Sequence, residues 1–188
     1  MPHKFPVENS HKLESDDRYA LIPPEETLER FGIKDGMTVV DIGAGTGFFS
    51  RAASFLVGER GKVYAADISF EMLEVLRSFG IPKNVEWVHC EEFTIPVQSY
   101  IADFVLLAFV AHETNDLDRF FREAARLTKP DGRIIVIDWK KQQEDHGPDE
   151  SERLSEEELA SHCKLFIIED SGELNPSHYY FILKKKNE

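Results

Sequence analysis

The segment Asp41-Ile42-Gly43-Ala44-Gly45-Thr46-Gly47 places three glycines at alternate positions behind an acid. Glycine accepts tight-turn conformations and lets a ligand approach the main chain. About 20 residues beyond Gly47 stands Asp67, placed to accept hydrogen bonds from ribose hydroxyls. The spacing discriminates between ligands. A dinucleotide site favours Gly-x-Gly-x-x-Gly, whose last glycine lets a helix pack close beside a pyrophosphate. This chain has Gly-x-Gly-x-Gly after Asp41, and a carboxylate suits a cationic ligand better than a phosphate. A blander reading also fits each part: the glycines merely form a strand-to-helix turn, and Asp67 merely caps the next helix. The combination of acid, alternate glycines and distant acid weighs against it.

A second group of reactive side chains lies further along. His112 and Glu113 follow an apolar run, and Asp138, Trp139 and Lys140 follow another. An imidazole at His112 accepts a proton or positions a substrate, or it is a structural histidine bonded within its loop; these readings weigh equally. Trp139 either walls a substrate pocket, with cation–π contact to a positive ligand, or is a core or rim aromatic. Asp138 has the simpler alternative of bonding nearby backbone. Near the N-terminus, His3, His11, Arg18 and Tyr19 either cover the site or serve packing. His89, His146, His162 and His178 are scattered, and no metal site is expected from their spacing.

These groups need a scaffold, and the pattern supplies one. Thr38–Ile42 is a short β-branched run ended by glycines, and Lys62–Asp67 reads as a second strand. Val85–Val88 is a third, Asp103–Phe109 a nearly unbroken apolar fourth, and Arg133–Ile137 with Asp138 a fifth. Between them, Phe48, Phe49, Ala52, Ala53 and Leu56 form one helical stripe. Met72, Val75, Leu76 and Phe79 form another, capped by Ser69, and Leu117 to Ala125 a third, which ends before a turn at Pro130-Asp131-Gly132. Ser155 and Glu158 make a capping box. Two last strands, Lys164 to Ile168 and Tyr179 to Leu183, have no helix between them. They are expected to form an antiparallel hairpin turning through Gly172 and Pro176.

The expected architecture is therefore α/β: a doubly wound, seven-stranded, mostly parallel, Rossmann-like sheet with an antiparallel C-terminal hairpin. Ligands in such a sheet sit at the carboxyl ends of the strands, where the order reverses. Residues 1–35 read as an arm or lid, with a helix begun by Pro23-Pro24-Glu25-Glu26, and residues 36–188 as the ligand-binding domain. The net charge of −13 over 188 residues disfavours a nucleic-acid partner. No apolar run approaches the ~18 residues of a transmembrane helix, and no signal-peptide apolar region follows Met1. With two cysteines lacking metal-type spacing, a cytoplasmic location is expected. Oligomeric state is not legible.

The charge logic at the loop selects S-adenosylmethionine, which carries an amino group and a sulfonium but no phosphate. The run Val39-Val40-Asp41-Ile42-Gly43-Ala44-Gly45-Thr46-Gly47 resembles the first motif of class I S-adenosylmethionine-dependent methyltransferases, VLDLGCGTG. The likeness extends over nearly the whole chain. It is similar to small bacterial and archaeal members related to the ubiquinone/menaquinone biosynthesis and arsenite methyltransferases. His3-Lys4-Phe5, Pro23 to Asp41, His112-Glu113, Ile137 to Lys141 and Gly147-Pro148 carry that likeness. The resemblance implies that Asp41 faces the methionine amino group and that Gly43, Ala44 and Gly45 line the methionine and sugar. It implies that Asp67 binds the ribose, Ile68 packs on the adenine, Glu91 reaches the adenine amino group, and Phe109 and Val110 sit beside the cofactor. Glu91 departs from the family's usual Asp, and Gln98 to Asp103 departs from the usual PDNSFD.

The expected activity is methyl transfer to a small molecule by in-line displacement, with His112 as the catalytic candidate and Glu113 and Trp139 as substrate-side candidates. Cys90 and Cys163 form no cluster that would hold arsenite. A macromolecular acceptor, a cofactor-binding protein without activity, and an NAD-dependent oxidoreductase are the competing readings. The glycine spacing and the want of a separate substrate domain argue against the last.

Overall fold

A computed structural model describes residues 4–186. The strands are β1 (Thr38–Ile42), β2 (Lys62–Asp67), β3 (Val85–His89), β4 (Ala102–Ala108), β5 (Thr128–Trp139), β6 (Phe166–Asn175) and β7 (His178–Lys185). They form one sheet in the order β3-β2-β1-β4-β5-β7-β6. The first five are mutually parallel, and β7 runs antiparallel between β5 and β6. The order reverses between β1 and β4, so a crevice opens at the carboxyl ends of those two strands.

The helices are α1 (Asp16–Leu21), α2 (Pro24–Arg30), α3 (Phe48–Val57), α4 (Phe70–Ser78), α5 (Leu117–Leu127) and α6 (Glu156–His162), with short 3-10 turns at Val7–Glu14, Ala111–Glu113 and Glu150–Glu152. The period-2 rule divides the central strands between two cores. Val39, Phe104, Leu106, Ile135 and Ile137 face the layer of α2, α3 and α4. Val40, Ile42, Val105, Leu107, Ile134 and Val136 face the layer of α5 and α6. Because both faces are covered, β4 and β5 read as continuous apolar runs rather than alternating ones. Ile22, Leu28, Phe31 and Ile33 belong to the first core, so α2 is built into the domain. Residues 4–21 lie over the carboxyl edge.

Two local readings are corrected. β5 begins at Thr128, not Arg133; its pairing passes from Ala102↔Thr128 to Phe104↔Arg133, so Pro130-Asp131-Gly132 is a bulge inside the strand rather than a turn before it. The hairpin does form, but Gly172 lies within β6 opposite Tyr180, and the chain turns at Pro176-Ser177. Asn175 fixes that turn: its side-chain oxygen accepts from the N–H groups of Ser177 and His178, both at 3.0 Å.

Candidate functional site

The glycine loop leaves β1 at the reversal point. Gly43, Gly45 and Gly47 have φ of 72°, 54° and 83°, the left-handed region that glycine enters without strain. Space demands glycine as well. A Cβ on Gly43 would lie 2.6 Å from Val110 Cγ2, and one on Gly47 2.2 Å from Leu76 Cδ1. The loop's N–H groups are largely spent inside the fold. Gly43 and Ala44 donate to the Ala66 carbonyl at 2.8 and 3.0 Å, Gly47 to the Ala44 carbonyl at 2.8 Å, and Gly45 to Asp67 Oδ2 at 2.7 Å. A pyrophosphate would meet few free donors here.

What the loop presents instead is negative charge. Asp41 is buried and accepts from Ser50 Oγ at 2.6 Å. Burial pushes its carboxyl up to about 7, and nearby Asp67 adds to this, against the pull of Ser50 and Arg18. Asp67, at the end of β2, takes N–H bonds from Gly45 and Ser69. Burial raises its carboxyl too, and those bonds hold it back. Ile68 is half-exposed beside it. Glu91 is exposed in a turn whose backbone pairs with Thr94.

A cavity of about 1520 Å³ runs along this edge. Asp41, Gly43, Ala44, Gly45, Asp67, Ile68 and Glu91 line one end; Phe109, His112, Glu113 and Trp139 line the other. Of the residues expected to contact cofactor or acceptor, Gly47 does not line it, its place being against Leu76; Tyr19, His11, Asp138 and Lys140 do not line it either. Phe109 joins the two ends. It has a φ of 59°, unusual for a bulky residue, and its N–H donates to the Ile137 carbonyl at 2.8 Å. Its ring lies 5.7 Å from Trp139 and 4.9 Å from His178.

Beyond Phe109, β4 and β5 converge on a dyad. Asp138 is fully buried and accepts from His112 Nδ1 at 2.7 Å, from the His112 backbone N–H at 3.3 Å and from the Trp139 N–H at 2.8 Å. An acceptor at Nδ1 fixes the proton there and leaves Nε2 as the free nitrogen of neutral His112. Burial acts to lower the imidazole pKa, but Asp138's charge and hydrogen bond, helped by Glu113 and Glu152, outweigh it and raise the pKa. Burial also pushes the Glu113 carboxyl up to about 7.

The segment over the cavity is tied down at several points. Glu14 accepts from Thr46 Oγ1 and pairs with Arg51, both at 2.5 Å. Lys4 lies 3.7 Å from Glu92. Tyr19 packs on Phe48 at 4.7 Å and bonds Glu14 and Arg51 through its hydroxyl. Arg18 projects over Phe48 and Phe109, 4.3 and 5.5 Å from their ring centres, and also lines the cavity. Burial lowers it to about 10, so it stays cationic at neutral pH. Its one side-chain hydrogen bond among the described residues goes to the Leu13 carbonyl. His11 is exposed, and His3 lies outside the described residues.

Sequence reasoning missed Arg153 and passed over His178. Arg153 is buried and gathers the segment after β5: it donates to the carbonyls of Lys140, His146 and Pro148 and pairs with Glu144. It also lies 4.9 Å from the Trp139 ring centre, so the cation that meets Trp139 is this one. The only advance signal was an arginine among acids, which reads as a solvated face. Among the described residues no cluster of His, Cys, Asp and Glu is arranged for a metal ion, and no helix is long and apolar enough to cross a membrane.

Residues 40–136 match the family model described as a methyltransferase domain. A crystal structure of a SAM-dependent methyltransferase from Aquifex aeolicus is similar at 35% identity and a TM-score of 0.90, covering 96% of this chain and 98% of that one. A putative type 11 methyltransferase from Sulfolobus solfataricus is similar at 27% identity and a TM-score of 0.75, over 88% and 93% of the two chains. The Escherichia coli ubiquinone/menaquinone biosynthesis C-methyltransferase UbiE is 36% identical over 119 residues, 61% of this chain. The match spans about half the length of that relative, 47%.

Proposed function

The chain belongs to the S-adenosylmethionine-dependent methyltransferases, and we propose that it methylates a small molecule held between Phe109, His112, Glu113 and Trp139. The observation that carries the cofactor assignment onto named residues is the pairing of a buried acid and a half-buried cation in one cavity. Asp41 suits the ammonium of the methionine moiety, Arg18 suits its carboxylate, and Asp67 retains lone pairs for ribose hydroxyls. Ile68 and Glu91 flank the adenine end. The spent N–H groups of the loop fit a ligand without phosphate.

The cofactor supplies a methyl group on positively charged sulfur, already activated for displacement. The protein's work is alignment and exclusion of water. Residues 4–21 line the outer side of the cavity and are tied to the glycine loop and α3 through Glu14, Thr46 and Arg51. A nucleophile that carries a proton needs a base, and His112 is built for it. Asp138 holds the Nδ1 proton and orients the ring, so Nε2 takes the proton and the buried carboxylate stabilises the resulting imidazolium. Glu113, raised to about 7, lies beside it on the acceptor side.

Calorimetry with S-adenosylhomocysteine, S-adenosylmethionine and NAD tests this reading. Binding of both sulfur ligands, lost or strongly weakened in Asp67→Ala, is the expected result. Binding of NAD with neither sulfur ligand would sink it.

A further inference from the structure

His178 is the one buried side chain among the described residues with a polar atom, Nε2, that has no hydrogen-bond partner. Buried polar atoms are almost always paired, so an exception at a cavity wall calls for a ligand. The residue is 1% exposed, lines the cavity, and starts β7 directly opposite Trp139 of β5, at the same carboxyl edge as the dyad.

Its protonation state follows from Asn175. The Asn175 side-chain oxygen already accepts from the backbone N–H groups of Ser177 and His178, while its NH2 donates to the Leu21 carbonyl at 3.1 Å. That settles which end of the amide faces the ring. Nδ1 of His178, 2.9 Å from this oxygen, must therefore carry the proton, and Nε2 must present a lone pair.

We infer that His178 Nε2 recognises the methyl acceptor by taking a hydrogen bond from an O–H or N–H on a planar ring. The inference rests on the methyl-transfer reading of the cavity. Two observations define the ligand class. The imidazole stands edge-to-face with Trp139 at 4.2 Å and Phe109 at 4.9 Å, so the surroundings are aromatic and favour a flat partner. Burial keeps the imidazole unprotonated, down to about 4, against the opposing charges of Glu144 and Asp138. An Nε2 without a proton has nothing to donate to a carboxylate or phosphate. A hydrogen-bond donor on a flat ring remains.

The two histidines then divide the work. His178 is too weak a base to carry a proton away near neutral pH, and it acts as a specificity-determining acceptor. His112, with its raised pKa, is the nitrogen that takes a proton.

The test uses two matched pairs of probes on the full chain, with and without saturating S-adenosylhomocysteine: 2-naphthol against 2-methoxynaphthalene, and indole against 1-methylindole. Calorimetry on the wild type is expected to favour the donor of at least one pair by about tenfold, the worth of one buried hydrogen bond. His178→Phe keeps an aromatic ring against Trp139 and removes the lone pair. It is expected to bring that ratio to about one while S-adenosylhomocysteine binds as before. In wild-type protein with 15N-labelled histidine, the donor probe is expected to move the His178 Nε2 resonance and its methylated partner to leave it in place. Equal binding within both pairs on the wild type, or no binding of any probe, overturns the inference; neither requires the variant to fold. Failure of S-adenosylhomocysteine to bind, with discrimination intact, would instead overturn the cofactor reading and leave the His178 site standing.

Discussion

Replacing Asp41 with Asn should make the empty protein more stable and the cofactor bind less well. The carboxyl ionises near its ordinary 3.8 in the unfolded chain and at about 7 in the fold, because burial opposes its charge. The sign follows from linkage. A carboxyl whose pKa is raised by folding binds its proton more tightly in the native state, so its unfavourable contribution grows as pH rises from 3.8 to about 7 and is constant above. Asn cannot ionise and escapes this cost, and its amide keeps a partner in Ser50 Oγ. Treated as an isolated titration, the advantage of Asp41→Asn is small at pH 4, grows through pH 5 and 6, and reaches about 4 kcal/mol at pH 7 and above.

Urea unfolding of the ligand-free proteins across pH 4 to 8 measures this difference directly. The two curves should lie close at pH 4 and separate until they run parallel above pH 7. At pH 8 the midpoint of thermal unfolding should be higher in the variant, by about 2–4 °C for each kcal/mol in a chain of this size. Calorimetry should show the opposite ranking for S-adenosylhomocysteine, weakened by about 10- to 100-fold, the worth of one charge-assisted hydrogen bond. Wild-type affinity should rise with pH towards about 7, as Asp41 ionises to meet the ammonium, and the variant should lose that rise. A variant no more stable than wild type at pH 8, or a stability gap that does not widen with pH, would refute the claim that Asp41 is held against its charge.

Arg18→Ala should weaken S-adenosylhomocysteine by about tenfold or more while leaving 5′-methylthioadenosine, which lacks the amino-acid end, unchanged; parallel calorimetry with the two ligands decides. Gly43→Ala should cost about 1–3 kcal/mol from its positive φ and the clash with Val110, read by urea unfolding, and Val110→Ala in the same chain should recover the clash but not the strain. Asp138→Asn should lower kcat by about 100-fold or more with an acceptor whose nucleophile carries a proton, and leave S-adenosylhomocysteine affinity intact. In the wild type, the raised His112 pKa should set the acidic limb of the rate profile above the ordinary 6.5, and that limb should move in the variant. Full activity in Asp138→Asn would remove the dyad from the mechanism.

What could be read from the sequence was whatever is local. The alternate glycines, the acid before them and Asp67 lie within one strand–helix–strand unit, so their spacing alone places them. β1 and β2 begin and end where the runs read as strands do. β5 and the hairpin turn escaped because pairing, not propensity, sets them. Pro130-Asp131-Gly132 looks like a stop, yet β4 offers partners on both sides of it. Gly172 looks like a turn, yet the Asn175 side chain satisfies the backbone three residues later, at Pro176-Ser177. Arg153 and His178 were hidden for a related reason. Each is an isolated polar residue whose meaning comes from a partner elsewhere in the chain, Trp139 for both.

Those distant contacts give the cavity two ends of unlike character. At the β1 end the loop's donors are turned inward, and buried Asp41 and Asp67 line the cavity together with Arg18. A ligand carrying both charges and no phosphate suits that set. At the β5 end two imidazoles are each bound on the far side. Asp138 holds Nδ1 of His112, Asn175 holds Nδ1 of His178, and both rings keep Nε2 unpaired. The environments of these imidazoles then push their pKa values apart, one upward by a buried carboxylate and one downward by burial. Two acceptors of different strength, about a wall made by Phe109 and Trp139, can distinguish the group that orients a molecule from the group that loses a proton. Phe109 belongs to both ends, and its left-handed backbone carries the chain from β4 across the junction. Strain at that residue persists because the Ile137 carbonyl holds its N–H in place, and the junction is where a methyl group would have to cross.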